Sequence, residues 1–319
     1  MFNVRNVLTD VKAHYGGFLP VKEMKFYNDY EKQEHTIWLE QNEYQTSLGF
    51  LLPDEIMDWA YSAGNVFEVQ NDFVKKVLNK ENNVFIPVNI SDFEVSGNYC
   101  LPLENKGASF PYICTVLNDE LMGLEVDFEV PKNMHLYTYI SDKYSIITNV
   151  YIDGKEYSPM DYYDGNRNLL DLGEVKKGQK ISIAVYNHSS IGTNGCTDML
   201  FYEIDEDVVK EYQNRITRDP FNITKFEDTC IEGNITASED GIMYTSIPYY
   251  KGFKVYVDGK QTEITKIGEA LIGVKLQKGE HDIRITYFPY GLKFGIALSI
   301  FGIAGMIVIC KKNKKYIIK

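Results

Sequence analysis

Apolar and polar residues alternate along several short stretches, and two of these stretches repeat the same pattern. VYIDGKEY (Val150–Tyr157) is followed by LLDLGEVKKGQKISIAVY (Leu169–Tyr186). VYVDGKQT (Val255–Thr262) is followed by LIGVKLQKGEHDIRITY (Leu271–Tyr287). Each copy predicts a strand entering an Asp-Gly turn, at Asp153-Gly154 and Asp258-Gly259. Asp-Gly supplies the positive φ angles that a two-residue hairpin turn requires. A Lys-Gly turn (Lys177-Gly178 and Lys278-Gly279) then leads into a strand with period-two alternation. Ile181, Ile183 and Val185 share one face of the first, and Ile283, Ile285 and Tyr287 share one face of the second. Such alternation marks a sheet with one face buried. Leu124, Val126, Phe128 and Val130 alternate with Glu125, Asp127 and Glu129 in the same way, and Pro131 closes that strand. Short strands separated by turn residues favour antiparallel sandwiches over a parallel sheet. The predicted class is mainly β: two antiparallel, jelly-roll-like β-sandwich modules with short connecting helices.

Helical spacing occurs twice. Phe73, Val74, Val77 and Leu78 fall on one face, with Asn71 a candidate cap for the first turn. Asp205 can cap a second helix carrying Val208, Val209, Tyr212 and Ile216, with Glu206 and Asp207 in its first turn, where the helix dipole favours acids. Pro220 bars its extension beyond Asp219. Residues 1–65 read as irregular, polar and rich in tyrosine.

A different pattern follows Tyr290. From Phe294 to Cys310 the chain has 17 uncharged, mostly apolar residues, about 26 Å of helix at 1.5 Å per residue. Tyr287, Phe288 and Tyr290 form an aromatic belt at one end, and Lys311, Lys312, Lys314 and Lys315 flank the other. The expectation is a transmembrane helix with its basic end in the cytoplasm and residues 1–287 outside. Gly291, Gly295 and Ser299 lie four apart, a spacing that lets helix backbones approach closely. Met1–Asp10 (MFNVRNVLTD) lacks a basic stretch followed by an apolar one. An exported body without its own export signal suggests the end of a longer polytopic protein; reversed topology, against the lysines, is the alternative.

Charge sharpens this division. The six lysines after Tyr290 face no acid there; removing them from the 33 basic residues leaves 27 against 45 acids, a net charge of −18 for residues 1–290. An acidic body of this kind argues against nucleic acid as a partner. Tyrosine is abundant, 24 of 319 residues, which also favours strands.

Candidate chemistry is sparse. The cysteines (Cys100, Cys114, Cys196, Cys230, Cys310) show no Cys-x-x-Cys spacing; Cys310 ends the apolar run, and either free thiols or, if exported, disulfides fit the other four. The histidines (His14, His35, His135, His188, His281) have no ligand spacing. Asp161–Asn168 (DYYDGNRN) resembles a calcium loop in composition but lacks EF-hand spacing. No nucleophile elbow, P-loop or dinucleotide fingerprint is present. No catalytic, cofactor or metal-binding residue is assigned. Trp38, Trp59 and Tyr61 could stack on sugar rings, or pack in a core.

ITKFEDTCIEGNITASEDGIMYTSIPYYKGFKVYVDG (Ile223–Gly259) resembles the C-terminal region of bacterial YfhO-like membrane proteins. The stretch from Leu271 through the last helix to the lysines is similar to the same region. NVFEVQNDFVKKVL (Asn65–Leu78) and FNVRNVLTD near Met1 look like earlier parts of it, in the right order. Phe253 stands where the family commonly has Trp, a conservative departure. The resemblance implies a GT-C type glycosyltransferase that moves sugar from a polyprenyl-phosphate donor to an envelope polymer such as lipoteichoic acid. It also implies that the catalytic carboxylate lies in an early extracytoplasmic loop of a helical bundle that this chain lacks. No catalytic residue is therefore carried onto any position here, and whether this chain takes part in catalysis stays open.

The expected organisation is an irregular segment over 1–65, a first sandwich over 66–205 and a connector helix over 206–219. A second β module over 220–287, a transmembrane helix over 288–311 and a cytoplasmic tail over 312–319 complete it. The expected partners are the bilayer of a bacterial cell membrane, the transmembrane bundle and an envelope polymer, with no cofactor in this chain. The expected role is acceptor binding or orientation; a non-enzymatic, membrane-anchored carbohydrate-binding or structural module is the alternative.

Overall fold

In a computed structural model the protein is mainly β, as its alternation predicts, and every strand pairing described is antiparallel. The structure describes residues 6–9, 18–28, 30, 32–42, 46–60, 64–114, 122–142, 145–158, 168–187 and 194–317. They fall into two compact units. One comprises the described residues of 46–61 and 214–317; the other comprises those of 6–42 and 64–213.

Within the stretch expected to be irregular, the chain forms four strands: β1 (Asn6–Thr9), β2 (Phe18–Asn28), β3 (Gln33–Asn42) and β4 (Gly49–Leu52). β1, β3 and β2 make a three-stranded sheet in that order. β2 carries Pro20 at a register shift, and exposed Leu19, Val21, Phe26 and Tyr27 mix with its charged residues, so no clean alternation announces it.

Helix α1 (Val66–Leu78) starts six residues earlier than Asn71 suggests. Asn65 is the cap: its Oδ1 accepts the N–H groups of Phe67 and Glu68, each at 3.0 Å. Asn71 is instead buried inside the helix. Its Nδ2 donates to the Phe85 carbonyl and its Oδ1 accepts the Phe85 N–H, both at 2.8 Å. The amide acts as a surrogate peptide for β5 (Phe85–Pro87).

The first sandwich follows. Its strands are β6 (Glu94–Asn98), β7 (Cys100–Pro102), β8 (Ser109–Cys114), β9 (Met122–Glu129) and β10 (Met134–Ser141). β11 (Ser145–Ile152), β12 (Lys155–Ser158), β13 (Asn168–Val175), β14 (Lys180–Asn187) and β15 (Asn194–Ile204) complete it. One sheet runs β12-β11-β14-β9-β6; the other runs β13-β10-β15-β8-β7, with β5 also paired to β15. Leu124, Val126, Phe128, Ile181, Ile183 and Val185 from the first sheet share a core with Phe110, Leu136, Leu172 and Phe201 from the second.

Helix α2 (Glu206–Thr217) is capped by Asp205 as expected, its Oδ1 accepting from Asp207 N and Val208 N at 3.0 and 3.1 Å. The second sandwich then uses β16 (Asn222–Glu227), β17 (Cys230–Ala237), β18 (Gly241–Pro248) and β19 (Phe253–Val257). β20 (Lys260–Thr262), β21 (Thr265–Ile267), β22 (Leu271–Leu276) and β23 (Gly279–Tyr287) follow. One sheet runs β16-β17-β23-β19-β20, and the other runs β21-β22-β18-β4. The repeat seen in the sequence is thus a repeat of topology. β12-β11-β14-β9-β6 and β20-β19-β23-β17-β16 are the same sheet, strand for strand. Both Asp-Gly turns have two positive φ angles, 51° and 74° at Asp153-Gly154 and 51° and 77° at Asp258-Gly259.

The second sheets differ more, with six strands in the first module and four in the second. In the first module β10 pairs with β13 and β15; in the second, β18 pairs with β22 and β4. β4 therefore occupies the place of β15, but it precedes its module in the chain instead of ending it. Ile242 pairs with Leu52, and Leu51 is fully buried in the second core. Arg215 holds β4 in place: Nη1 donates to the Leu51 carbonyl at 3.1 Å and Nη2 to Glu239 Oε1 at 2.8 Å.

Helix α3 (Leu292–Ile317) follows β23 after a four-residue linker, Phe288–Gly291. Leu292–Cys310 is long and apolar enough to cross a membrane, with a mean hydropathy of 2.2, and none of it is buried in the protein.

Candidate functional site

The acidic body changes character where β23 gives way to α3. There the β16–β17 turn (Thr229, Cys230), the edge of β19 (Gly252, Lys254) and the end of β23 enclose an open groove of about 740 Å³. The linker and first turn of α3 complete it. Backbone hydrogen bonds fix its walls: Tyr287 N–H donates to Thr229 O at 2.9 Å, and Phe288 N–H to Gly252 O at 3.1 Å. Gly252 is required here. Its φ is +117°, and a Cβ would lie 2.2 Å from the Phe288 carbonyl oxygen.

Aromatic side chains and lysines line this groove. Tyr287 is half-buried, with its ring 4.7 Å from that of Phe253. Phe288 is 47% exposed and Tyr290 81% exposed. Lys293 Nζ lies 5.7 Å from the centre of the Phe288 ring, and Lys251 Nζ lies 5.6 Å from that of Tyr290. These are cation–π distances. Lys254 and Lys293 line the groove and no carboxylate does, in a chain with a large acidic excess. Rings with one apolar and one wet edge, set beside cationic heads, suit the headgroup layer of a bilayer.

The other sequence candidates are placed as follows. Gly291 has φ +89°, and beyond the adjoining residues and the helix's own backbone nothing lies within 4 Å of a Cβ added at Gly291 or Gly295. Ser299 Oγ donates to the Gly295 carbonyl at 2.9 Å. The backbones of Lys311 and Lys312 continue helix α3. Trp38 is a half-buried residue of β3. Trp59 follows a short 3-10 helix (Asp54–Asp58) and lays its ring on Gly268, where a Cβ would meet the ring at 2.3 Å. Tyr61 and nearly all of the Asp161–Asn168 loop lie outside the described residues.

A polar cluster on the first sandwich was not legible in the sequence. His135 Nε2 lies 2.6 Å from Asp171 Oδ1, its Nδ1 lies 3.2 Å from Glu174 Oε1, and its ring stacks on Tyr137. The hydrogen bond to Asp171 raises the His135 pKa, against burial. For Asp171, burial acts upwards, but the bonds from His135 and Gly173 N–H outweigh it and hold the carboxyl below its usual range. The cluster is a charged brace between β10 and β13, and its ring and carboxylates are already engaged with each other.

The family described as bacterial membrane protein YfhO matches residues 1–299. The chain belongs to the YfhO family of bacterial membrane proteins. A curated YfhO relative from Bacillus subtilis (strain 168), itself described as uncharacterized, is 26% identical over 186 residues. That match covers 57% of this chain and 21% of the relative, so it spans about a fifth of the relative's length. Among solved structures, a CBM36 carbohydrate-binding module in complex with calcium and xylotriose is 12% identical. It covers 38% of this chain and 99% of its own, with a TM-score of 0.22. The conserved protein PA5104 from Pseudomonas aeruginosa PAO1 is 10% identical, covering 62% and 93%, with a TM-score of 0.17. Among the described residues of this YfhO chain, α3 is the helix long and apolar enough to cross a membrane.

Proposed function

We propose that this YfhO chain is the extracytoplasmic part of a polytopic envelope glycosyltransferase, in which the sandwiches bind or orient the acceptor polymer and leave the chemistry to a helical bundle. The observation that carries the membrane half of this reading is the foot of the second sandwich. Its rings and lysines lead through only four residues, Phe288–Gly291, into an apolar helix, an arrangement that suits a sandwich seated at the headgroup layer. The lysine cluster after Cys310 supports the outward orientation of the body. The transferase half rests on the resemblance to the GT-C type.

Two measurements test it. A membrane-impermeant maleimide should label exposed Cys196 in intact cells; labelling only after lysis overturns the orientation. In the full-length protein, removal of the sandwiches should abolish sugar transfer to polymer while the bundle still binds its lipid-linked donor. Sugar transfer by the present chain alone overturns the division of labour.

A further inference from the structure

We propose that Cys100 and Cys114 are a cross-strand disulfide site of the first sandwich. The two residues are direct partners in the β7·β8 hairpin. Leu103 N–H donates to the Pro111 carbonyl at 2.9 Å, which makes 103/111 a hydrogen-bonded pair of the same register. Bonded and non-bonded pairs alternate along an antiparallel ladder, so Leu101/Ile113 is bonded and Cys100/Cys114 is non-bonded. Side chains approach most closely at non-bonded pairs, where Cα atoms are about 4.5 Å apart, within the range a disulfide spans. The two sulfurs lie 2.7 Å apart, and both residues are buried. Cys196, on the neighbouring strand β15, is turned to Ser109 and Asp198 instead.

The bond needs a two-electron oxidant, and a small-molecule or protein disulfide supplies it. One thiolate attacks the oxidant and releases one of its sulfurs as a thiol. The second thiolate then displaces the other, so one disulfide forms, one is reduced to two thiols, and the two cysteine protons end on those thiols. Burial raises the Cys100 thiol to about 12, with Cys114 adding to the shift. The packed sandwich is therefore slow to react, and the bond closes while the hairpin is still open to solvent. The bridge encloses the hairpin that carries Tyr112, whose hydroxyl donates to buried Asp142 at 3.1 Å. Closure thus stiffens the strand that keeps this carboxylate satisfied. The site stands independently of the transferase reading; in the cell the bond persists where the sandwich faces an oxidising compartment, as the outward orientation proposed above provides.

The test is refolding of the full chain in detergent micelles with oxidised glutathione, followed by alkylation and peptide mapping. The expected result is a linked Cys100–Cys114 peptide, two fewer alkylated thiols than in the reduced protein, and a higher Tm for the oxidised form. The linked peptide should survive Cys196→Ala and vanish in Cys100→Ser. Recovery of Cys100 and Cys114 as separate alkylated peptides, or linkage of either to another cysteine, overturns the proposal.

Discussion

His281 Nδ1 lies 2.8 Å from Asp258 Oδ2, while its Nε2 lies 2.9 Å from the Gln277 carbonyl oxygen. Two acceptors facing one imidazole are both satisfied only when both ring nitrogens carry protons. Burial opposes that charge, but the bonds to Asp258 and Gln277 outweigh it and raise the His281 pKa. The same bond, with the Asp282 N–H at 2.9 Å, lowers that of Asp258. In the first sandwich Asp153 sits at the equivalent turn, accepting from Lys180 N–H and from Gln179 Nε2, each at 3.0 Å. The two modules use one device, with a neutral side chain in one and a titrating one in the other.

Because the His281 pKa is raised on folding, its contribution is full below its unfolded value of about 6.5 and is lost as pH rises through the folded value. Because that of Asp258 is lowered, its contribution is full above about 3.9 and is lost as pH falls through the folded value. The pair is therefore strongest between about pH 4 and 6.5. Thermal unfolding should show the second sandwich losing stability on going from about pH 6 to 8. His281→Gln, which copies Gln179, should flatten that dependence; an unchanged slope would remove His281 as its source.

Gly195 is the cross-strand partner of Tyr112, and a Cβ there would lie 2.2 Å from Tyr112 Cζ. Gly195→Ala should push the ring off Asp142 and destabilise the first sandwich by about 1–3 kcal/mol, the usual cost of overpacking. Chemical denaturation checks this. A loss under half a kcal/mol would mean the ring yields freely.

Asn71→Ala strips both polar partners from the Phe85 peptide. Buried groups left unpaired cost about 1–3 kcal/mol, so the variant should lose that much stability. Asn71→Asp keeps an acceptor for Phe85 N–H but sets a carboxylate against the Phe85 carbonyl, and should recover none of it. Denaturant midpoints of the two variants decide the matter.

Arg215→Ala frees the Leu51 carbonyl from its clamp. Amide exchange at Leu51 and Leu52 should speed up well before that of β17 or β23. Equal acceleration across all strands would show that Arg215 supports the whole unit and not β4 alone.

Much of this architecture was legible because it is written in local signals. The Asp-Gly and Lys-Gly turns, the alternation of β9, β14 and β23, the Asp205 cap and the apolar run each need only neighbouring residues. β4 was not legible: four consecutive buried residues, GFLL, show no period, and the partner Ile242 lies 190 positions from Leu52. Asn71 misled for a related reason. A polar residue beside an apolar helical run looks like a cap until a distant strand supplies its partner. At the candidate site the aromatic belt was visible, whereas the pairing of Lys251 with Tyr290 depends on the chain returning from β19 to the linker.

The borrowed position of β4 has a consequence for synthesis. β4 leaves the ribosome before any residue of α1, yet its partner β18 is made only after the whole first sandwich and α2. For that interval a fully apolar ribbon has nothing native to pair with. The C-terminal sandwich closes only by a contact of high sequence separation, the slow kind, whereas the first module assembles from contiguous chain. Folding should therefore run in two beats, with the inserted module complete before the strand that precedes it finds its seat.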